Sequence, residues 1–202
     1  GNSIRDAINR NIKTNLGKFN QAYAISKLLT DIDASSASID SSAVSVTMEK
    51  RLRPTSSKII SYVLNFGNSV EHPHDGHIGV ISSGEFIYLD PSDNQNKNVY
   101  MKDDGFGNIS FYQTVGASEV LVTQNTGTVD YERGTIRLNN VQIQSPVDAP
   151  YITVFAKSSV QRFVSVQDKI LVNDTNDVDA IKITVNGIDQ STANTVASTT
   201  SI

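Results

Sequence analysis

The spacing of apolar residues changes near residue 42, and this change constrains the fold more than any other feature of the sequence. Before it, apolar residues recur at every third or fourth position, which is the period of an amphipathic helix. After it, apolar and polar residues alternate, which is the period of a half-buried strand. No helical pattern separates the later strands, which argues against a parallel α/β sheet. The sequence therefore predicts a mainly β, α+β fold, with an N-terminal helical hairpin followed by an antiparallel β-sandwich or meander sheets.

Two short amphipathic helices are predicted within the first 34 residues. The first ends near Gly17 and the second begins at about Asn20. Their apolar stripes comprise Ile4, Ile8, Ile12 and Leu16 in the first helix, and Ile25, Leu28, Leu29 and Ile32 in the second. Helices of this length are marginal alone in water, so both stripes must pack on another surface. We expect four of these residues to pack between subunits or domains, or equally to cap the sheet of their own subunit: Ile8, Ile12, Ile25 and Leu29.

Alternating residues after the polar linker 33–42 predict a series of short strands joined by tight turns. The predicted strands lie at about 44–52, 60–66, 77–81, 85–90, 98–102, 109–114, 119–123, 127–131, 135–139, 151–156, 169–172 and 180–185. Turn residues such as Asp104-Gly105 between them favour antiparallel hairpins. These boundaries divide the chain into three parts: a helical hairpin and linker (1–42), an antiparallel β domain (43–160) and a small C-terminal strand segment with a tail (161–202).

Composition excludes several classes of protein. A formal charge of −4 and a pI near 5.3 argue against a nucleic-acid partner. The absence of Cys excludes disulfides and thiolate metal sites, and no apolar run is long enough to span a membrane. The chain begins with Gly1, from which we expect a trimmed tag or a piece of a longer protein.

All three histidines lie in one loop, Glu71-His72-Pro73-His74-Asp75-Gly76-His77. Imidazole and carboxylate groups at this density are weak candidates for a zinc or nickel site built on His72, His74 and His77. Because Pro73 and Gly76 are typical of an ordinary exposed turn, we expect no metal and no cofactor here. The acidic loops lack the spacing of a calcium loop, and no serine lies in a nucleophile elbow. The sequence therefore predicts no catalytic residues and no enzyme, and a metal-dependent hydrolase remains the least favoured alternative.

A basic patch interrupts the acidic chain at Lys50-Arg51-Leu52-Arg53. On an alternating strand, Arg51 and Arg53 share one face, where they can meet an acidic partner. A solvated strand face explains the same residues equally well, since charges on an edge strand also protect it from aggregation.

The order of the parts resembles a known family. The resemblance rests on five segments: Ser26–Asp33 (SKLLTDID), Ser45–Thr55 (SVTMEKRLRPT), Ser61–Val70 (SYVLNFGNSV), Gly127–Asn140 (GTVDYERGTIRLNN) and Tyr151–Val185. In this succession the chain is similar to the baseplate wedge proteins of contractile-tailed, T-even-like phages, of the gene product six type, which are related to the baseplate J family. The short length implies a C-terminal portion of such a subunit.

The resemblance implies a structural role without catalytic residues. Wedge subunits of this family dimerise, and contacts between dimers build a ring around the tail hub that holds during contraction. It follows that the partners are a second copy (a homodimer) and other baseplate wedge proteins, and that the location is the virion, after assembly in the host cytoplasm. The alternative is a β-sandwich carbohydrate- or cell-surface-binding module of a phage fibre or adhesin, although the chain has no Trp to stack on a sugar.

Overall fold

A computed structural model describes residues 2–17, 22–72, 79–148, 150–160, 162–164, 172–173 and 180–185. The protein is mainly β, with helices at the N-terminus followed by antiparallel strands, which confirms the predicted α+β class. Among the described residues, no helix is long and apolar enough to cross a membrane.

The N-terminal segment differs in one respect from the predicted hairpin of two helices. Helix α1 spans Asn2–Asn15, and Gly17 follows with a φ of +79°, as its predicted place at the helix end requires. Helix α2 spans Ile25–Asp33, so the predicted start at about Asn20 is wrong. Strand β1 (Ala22–Ala24) precedes α2 and pairs antiparallel with strand β11 (Arg162–Val164). Strand β11, about 140 residues away in the chain, determines this local structure. Its backbone forms hydrogen bonds with the N–H and C=O groups of β1, which a longer helix would have used within itself.

Nine further strands form one antiparallel sheet. They are β2 (Thr47–Leu52), β3 (Lys58–Asn65), β4 (Ile81–Ser83), β5 (Phe86–Asp90), β6 (Gln95–Asp103), β7 (Asn108–Val115), β8 (Ser118–Asp130), β9 (Thr135–Pro146) and β10 (Ile152–Lys157). The two strands predicted at 119–123 and 127–131 are parts of the single strand β8. Residues 180–185 are not a strand, and the strand predicted at 169–172 lies almost entirely outside the described residues.

The strand pairings close on themselves. Strands β5, β6, β7, β8 and β9 pair in that order, and β9 then pairs back with β5. Strand β3 adds to the outer side of β9, while β4, β10 and β2 extend the sheet in turn from β6. Within the described residues, the extended sheet therefore ends in two edge strands, β3 and β2.

The main hydrophobic core takes buried residues from all nine strands of the sheet. Alternate residues of its strands point inward, so the core contains both aromatic and β-branched side chains. Fully buried members include Phe86, Val99, Met101, Ile109, Phe111, Ile136, Leu138, Val141, Ile143, Ile152 and Val154. The rings of Phe86 and Tyr88 both meet the ring of Phe111 edge to face, at centroid distances of 5.2 and 5.0 Å. This packing holds the strands in fixed positions relative to one another, and so positions the edges and outer faces of the sheet.

A second, smaller cluster, here called the helical cluster, joins the N-terminal helices to Phe163 of β11. Its buried members are Ile8, Tyr23, Ile25, Leu28, Ile32 and Phe163. Val44, Val46 and Ile183 pack against it, so it takes residues from all three predicted parts of the chain. The part boundaries 1–42, 43–160 and 161–202 stay a prediction.

Candidate interaction surfaces

The four helical residues predicted to form contacts lie in the helical cluster. Ile8 and Ile25 are buried there, and Ile12 and Leu29 are partly buried at its margin. The side chains that cover them within the chain belong to the same cluster, which includes Tyr23 and Phe163 of the paired strands β1 and β11. Both alternatives stay predictions: packing of these residues between subunits or domains, and capping of the sheet of their own subunit.

The two arginines of the basic patch lie at one edge of the sheet. Arg51 is on edge strand β2, where its Nε donates to Oε1 of Glu49 at 2.9 Å. Its guanidinium also lies over the ring of Tyr151, 4.6 Å from the centroid. Arg53 follows the end of the strand and is exposed. Charged side chains of this kind hinder pairing of β2 with another strand.

The histidine loop is described only in part. His72 is exposed and its ring lies 4.7 Å from the ring of Tyr131, measured between centroids. His74 and His77 lie outside the described residues. In the part of the chain that the structure describes, no group of three His, Asp or Glu side chains is placed to hold a metal ion.

The other edge strand, β3, carries apolar side chains in contact with solvent. Its residues alternate regularly: Ile60, Tyr62 and Leu64 face the core, while Ile59 and Val63 face outward and are 67% and 58% exposed. Among the described residues, β3 pairs with β9 and with no other strand. An edge of this kind presents unpaired N–H and C=O groups together with hydrophobic side chains.

A bulge on β9 keeps β3 itself regular. Between Ile60 and Tyr62, one residue of β3 (Ser61) lies opposite two residues of β9, Asn139 and Asn140. Asn140 has a φ of +51°, and its N–H donates to Oγ of Ser61 at 3.1 Å. The irregularity is therefore confined to the inner partner, and the outer strand keeps an unbroken row of backbone groups.

The predicted alternation identified the inward row of β3 but missed the importance of its outward row. The signal was present, because Ile59 and Val63 are β-branched apolar residues on a face that should be polar in an edge strand. Sequence alone did not show that β3 lies at an edge, since this depends on which strands pair.

A second exposed patch lies on β6, β7 and the start of β8. The rings of Tyr100 and Tyr112 are stacked, with centroids 6.3 Å apart. The hydroxyl of Tyr100 donates to Oε1 of Glu119 at 2.6 Å, and Nζ of Lys102 donates to both oxygens of the same carboxylate. Partial burial, and then the bond with Glu119, raise the pKa of Tyr100 to about 12. The bonds from Tyr100 and Lys102 hold the pKa of Glu119 below its usual value.

This Tyr100–Glu119 patch is thus a fixed polar surface with two aromatic rings, and the sequence predictions did not identify it. The residues that form it come from three strands, and the long β7–β8 hairpin brings them together. Searches of protein-family models and of curated proteins found no match to this chain.

Proposed function

We propose that the protein is a structural, self-associating component of a phage tail baseplate wedge. In this role it contacts a second copy of itself and neighbouring wedge proteins, and helps to form the ring around the tail hub. The proposal joins the resemblance of the five sequence segments to one feature of the molecule. That feature is edge strand β3, which exposes Ile59 and Val63 beside backbone groups that no other described strand pairs with.

The contrast between the two edges supports this proposal. Strand β2 carries Glu49, Lys50 and Arg51 in succession, followed by Arg53 and then Pro54. Charge and proline are the usual means by which an edge avoids pairing with another chain. Strand β3 has neither over the five residues from Ile59 to Val63. One edge is therefore protected and the other suits an interface.

A packed sheet whose strand β3 is an edge among the described residues fits a component of a mechanical assembly. Pairing across β3 would extend the same hydrogen-bonded sheet from one subunit into the next, so that load passes through backbone hydrogen bonds. The rearrangement of a contracting baseplate requires interfaces that re-pair as discrete units, and an edge strand separates or joins as one such unit.

Light scattering coupled to size-exclusion chromatography tests the self-association. The protein is measured over a tenfold or greater dilution. A dimer or larger species at the higher concentrations is the expected result, because the exposed edge strand of one copy can pair with that of a second copy. A monomer at every concentration would overturn the self-association on which the proposal depends.

Electron microscopy tests the location. Contractile tails are prepared from the source that encodes the chain and labelled with an antibody raised against the purified protein. Label at the baseplate end of the tail is expected. Tails that carry no label, while the same antibody detects the purified protein on the same grid, would contradict a place in the virion.

The second candidate function is a carbohydrate- or cell-surface-binding module. The Tyr100–Glu119 patch favours it, since stacked aromatic rings beside fixed hydrogen-bonding groups suit the apolar and polar faces of a sugar ring. A glycan array with the intact chain tests this function. Binding that is lost in Tyr112→Ala and kept in Tyr151→Ala would support it, and an array without any bound glycan would reject it.

A further inference from the structure

We infer that two copies of the chain pair through strand β3, antiparallel and in register about Ser61, so that Ile59 of each copy lies opposite Val63 of the other. This inference rests on the proposed self-association and specifies its surface, its partner and its register.

The unpaired side of β3 determines the chemistry of its partner. The N–H of Phe66, just after the strand, donates to the carbonyl of Gly134 at 2.8 Å. Because backbone groups alternate along a strand, even-numbered positions face β9 and odd-numbered positions face the open side. Ile59, Ser61 and Val63 therefore turn their N–H and C=O groups outward. Another extended backbone is the protein partner that matches such a row.

The side chains of the same three residues select a second copy and a register. In an antiparallel pair, residues directly opposite each other have numbers with a constant sum. A pair centred on Ser61 places Ile59 opposite the partner's Val63, Ser61 opposite the partner's Ser61, and Val63 opposite the partner's Ile59. Both apolar residues of each copy are then covered by a β-branched apolar residue, which is a favourable cross-strand pair.

Neighbouring registers lose this match. The outward backbone groups allow shifts of two residues, because odd positions must still face odd positions. One such shift places Ile59 opposite the partner's Ser61, and the other places it opposite the partner's Asn65. Each shift leaves exposed apolar surface beside a polar side chain. The register centred on Ser61 is therefore favoured over both.

The residue at the centre is suited to the two-fold axis. Ser61 is small, and its hydroxyl is already bonded to Asn140 of β9. Two such side chains can face each other across the axis without crowding. The bulge at Asn140 lies on the inner strand, so it does not interrupt the row of bonds between the two copies.

The size of the contact sets its expected strength. Strand β3 has eight residues, whereas a stable interface usually involves about 20–30 residues on each side. Pairing through β3 alone should therefore give a weak, concentration-dependent dimer. Further contacts in a ring would add to it, and dilution should dissociate it.

A charged substitution within the contact tests the surface. Val63→Glu places a carboxylate opposite the partner's Ile59, while Arg137, directly opposite on β9, keeps the variant compatible with the fold. Val120→Glu is the matched control, because Val120 is a similarly exposed valine on another strand. We expect Val63→Glu to raise the dimer dissociation constant about tenfold or more, since two symmetry-related apolar pairs are lost. Val120→Glu should leave it unchanged.

Cross-linking tests the register independently. The chain has no Cys, so introduced thiols are unique. Directly opposite residues in a hydrogen-bonded pair have Cα atoms about 5.5 Å apart, within the range of a disulfide. An equal mixture of Ile59→Cys and Val63→Cys proteins should form a disulfide-linked dimer on mild oxidation. Either variant alone should not, because equivalent residues lie about four positions apart along the paired strands.

The possible outcomes separate this inference from the proposed function. Loss of the dimer in Val63→Glu, with cross-linking in the mixture, supports the β3 pair. A wild-type dimer that Val63→Glu does not weaken overturns the β3 pair and leaves self-association intact. A wild-type protein that is monomeric at every concentration overturns both. Circular dichroism of each variant, with an unchanged melting temperature, confirms that the fold is retained.

Discussion

At the scale of single residues, the carboxylate of Asp103 in β6 is a buried group that accepts a hydrogen bond on each oxygen. It is 5% exposed, accepts the N–H of Ile81 at 2.7 Å and accepts the hydroxyl of Tyr131 at 2.7 Å. Burial, and then the bond with Asp103, raise the pKa of Tyr131 far above its ordinary value. The tyrosine therefore stays a donor over the whole neutral range, and it connects the β8–β9 turn to the strand β6.

Tyr131→Phe should lower the free energy of unfolding by about 1.5–3 kcal/mol, because one oxygen of a buried carboxylate loses its donor. Urea unfolding at pH 7 measures this loss. Tyr62→Phe is the control, since the Tyr62 hydroxyl accepts a bond from Thr55 at an exposed position. Its loss should stay below about 1 kcal/mol. Equal losses in both variants would contradict the role given to Asp103.

The stability of the protein should depend on pH through the carboxylate of Asp90, at the end of β5. Burial alone would raise the pKa of this carboxyl, but bonds from Lys97 and from the backbone and hydroxyl of Ser92 outweigh it and hold the pKa below its usual value. The folded state therefore holds its proton less tightly than the unfolded state does. The stabilisation is present above the unfolded pKa near 4 and is lost as the pH falls through the folded pKa.

We expect Asp90→Asn to be less stable than wild type at pH 7 and to lose less additional stability on acidification to pH 3. Urea unfolding at the two pH values provides the measurement. Asp93→Asn is a matched control because Asp93 also pairs with Lys97, at 2.8 Å, but is far more exposed. If Asp90→Asn and wild type lose the same free energy of unfolding between pH 7 and pH 3, Asp90 does not contribute to the pH dependence.

At the scale of elements, two tight turns that both contain glycine should respond differently to alanine. Gly134 and Gly116 have φ values of +59° and +63°. A Cβ on Gly134 would lie 2.0 Å from the carbonyl oxygen of Asn68, whereas a Cβ on Gly116 has open space. Gly116→Ala should cost about 1–2 kcal/mol through backbone strain alone. Gly134→Ala should cost at least twice as much, and thermal unfolding of both variants compares them.

The local pattern of the sequence predicted elements well where the partner strand is near in the chain. Strands β5, β6 and β7 lie close to their predicted positions because alternation and adjacent turns determine a hairpin. Strand β8 was predicted as two strands, at 119–123 and 127–131, with a break between them. In the structure Asn125 takes a φ of +56° inside a continuous strand, and its N–H donates to Oγ of Ser110. The irregularity at Asn125 is therefore a bulge within β8, and the strand continues without a turn.

The candidate interface could be predicted only in part for the same reason. Alternation in the sequence predicted one row of β3, Ile60, Tyr62 and Leu64, whereas the exposure of Ile59 and Val63 is known only from the structure. Whether that strand lies inside the sheet or at its edge depends on pairing with β9, about 75 residues later. The alternation of apolar and polar residues within β3 does not show which strands pair with it. The Tyr100–Glu119 patch likewise forms from three strands whose registers are set by the whole sheet.

At the scale of the whole molecule, the two hydrophobic clusters are formed by different parts of the chain. The main core belongs to the nine-stranded sheet, whereas the helical cluster joins α1 and α2 to β11. Met48 on β2 packs against both. Since stability is distributed according to such packing, the helical cluster should be able to open while the ring remains folded.

Hydrogen exchange with Phe163→Ala tests this division. Phe163 is buried in the helical cluster, so its truncation should cost about 3–5 kcal/mol within that cluster. Amide protection in α1 and α2 should fall strongly, while β5, β6 and β9 keep the protection of the wild type. Phe111→Ala, which removes a fully buried ring from the main core, should instead lower protection throughout the molecule. If Phe163→Ala increases exchange equally in the ring strands, the two clusters unfold as one cooperative unit, and the helices are then an integral part of the β core.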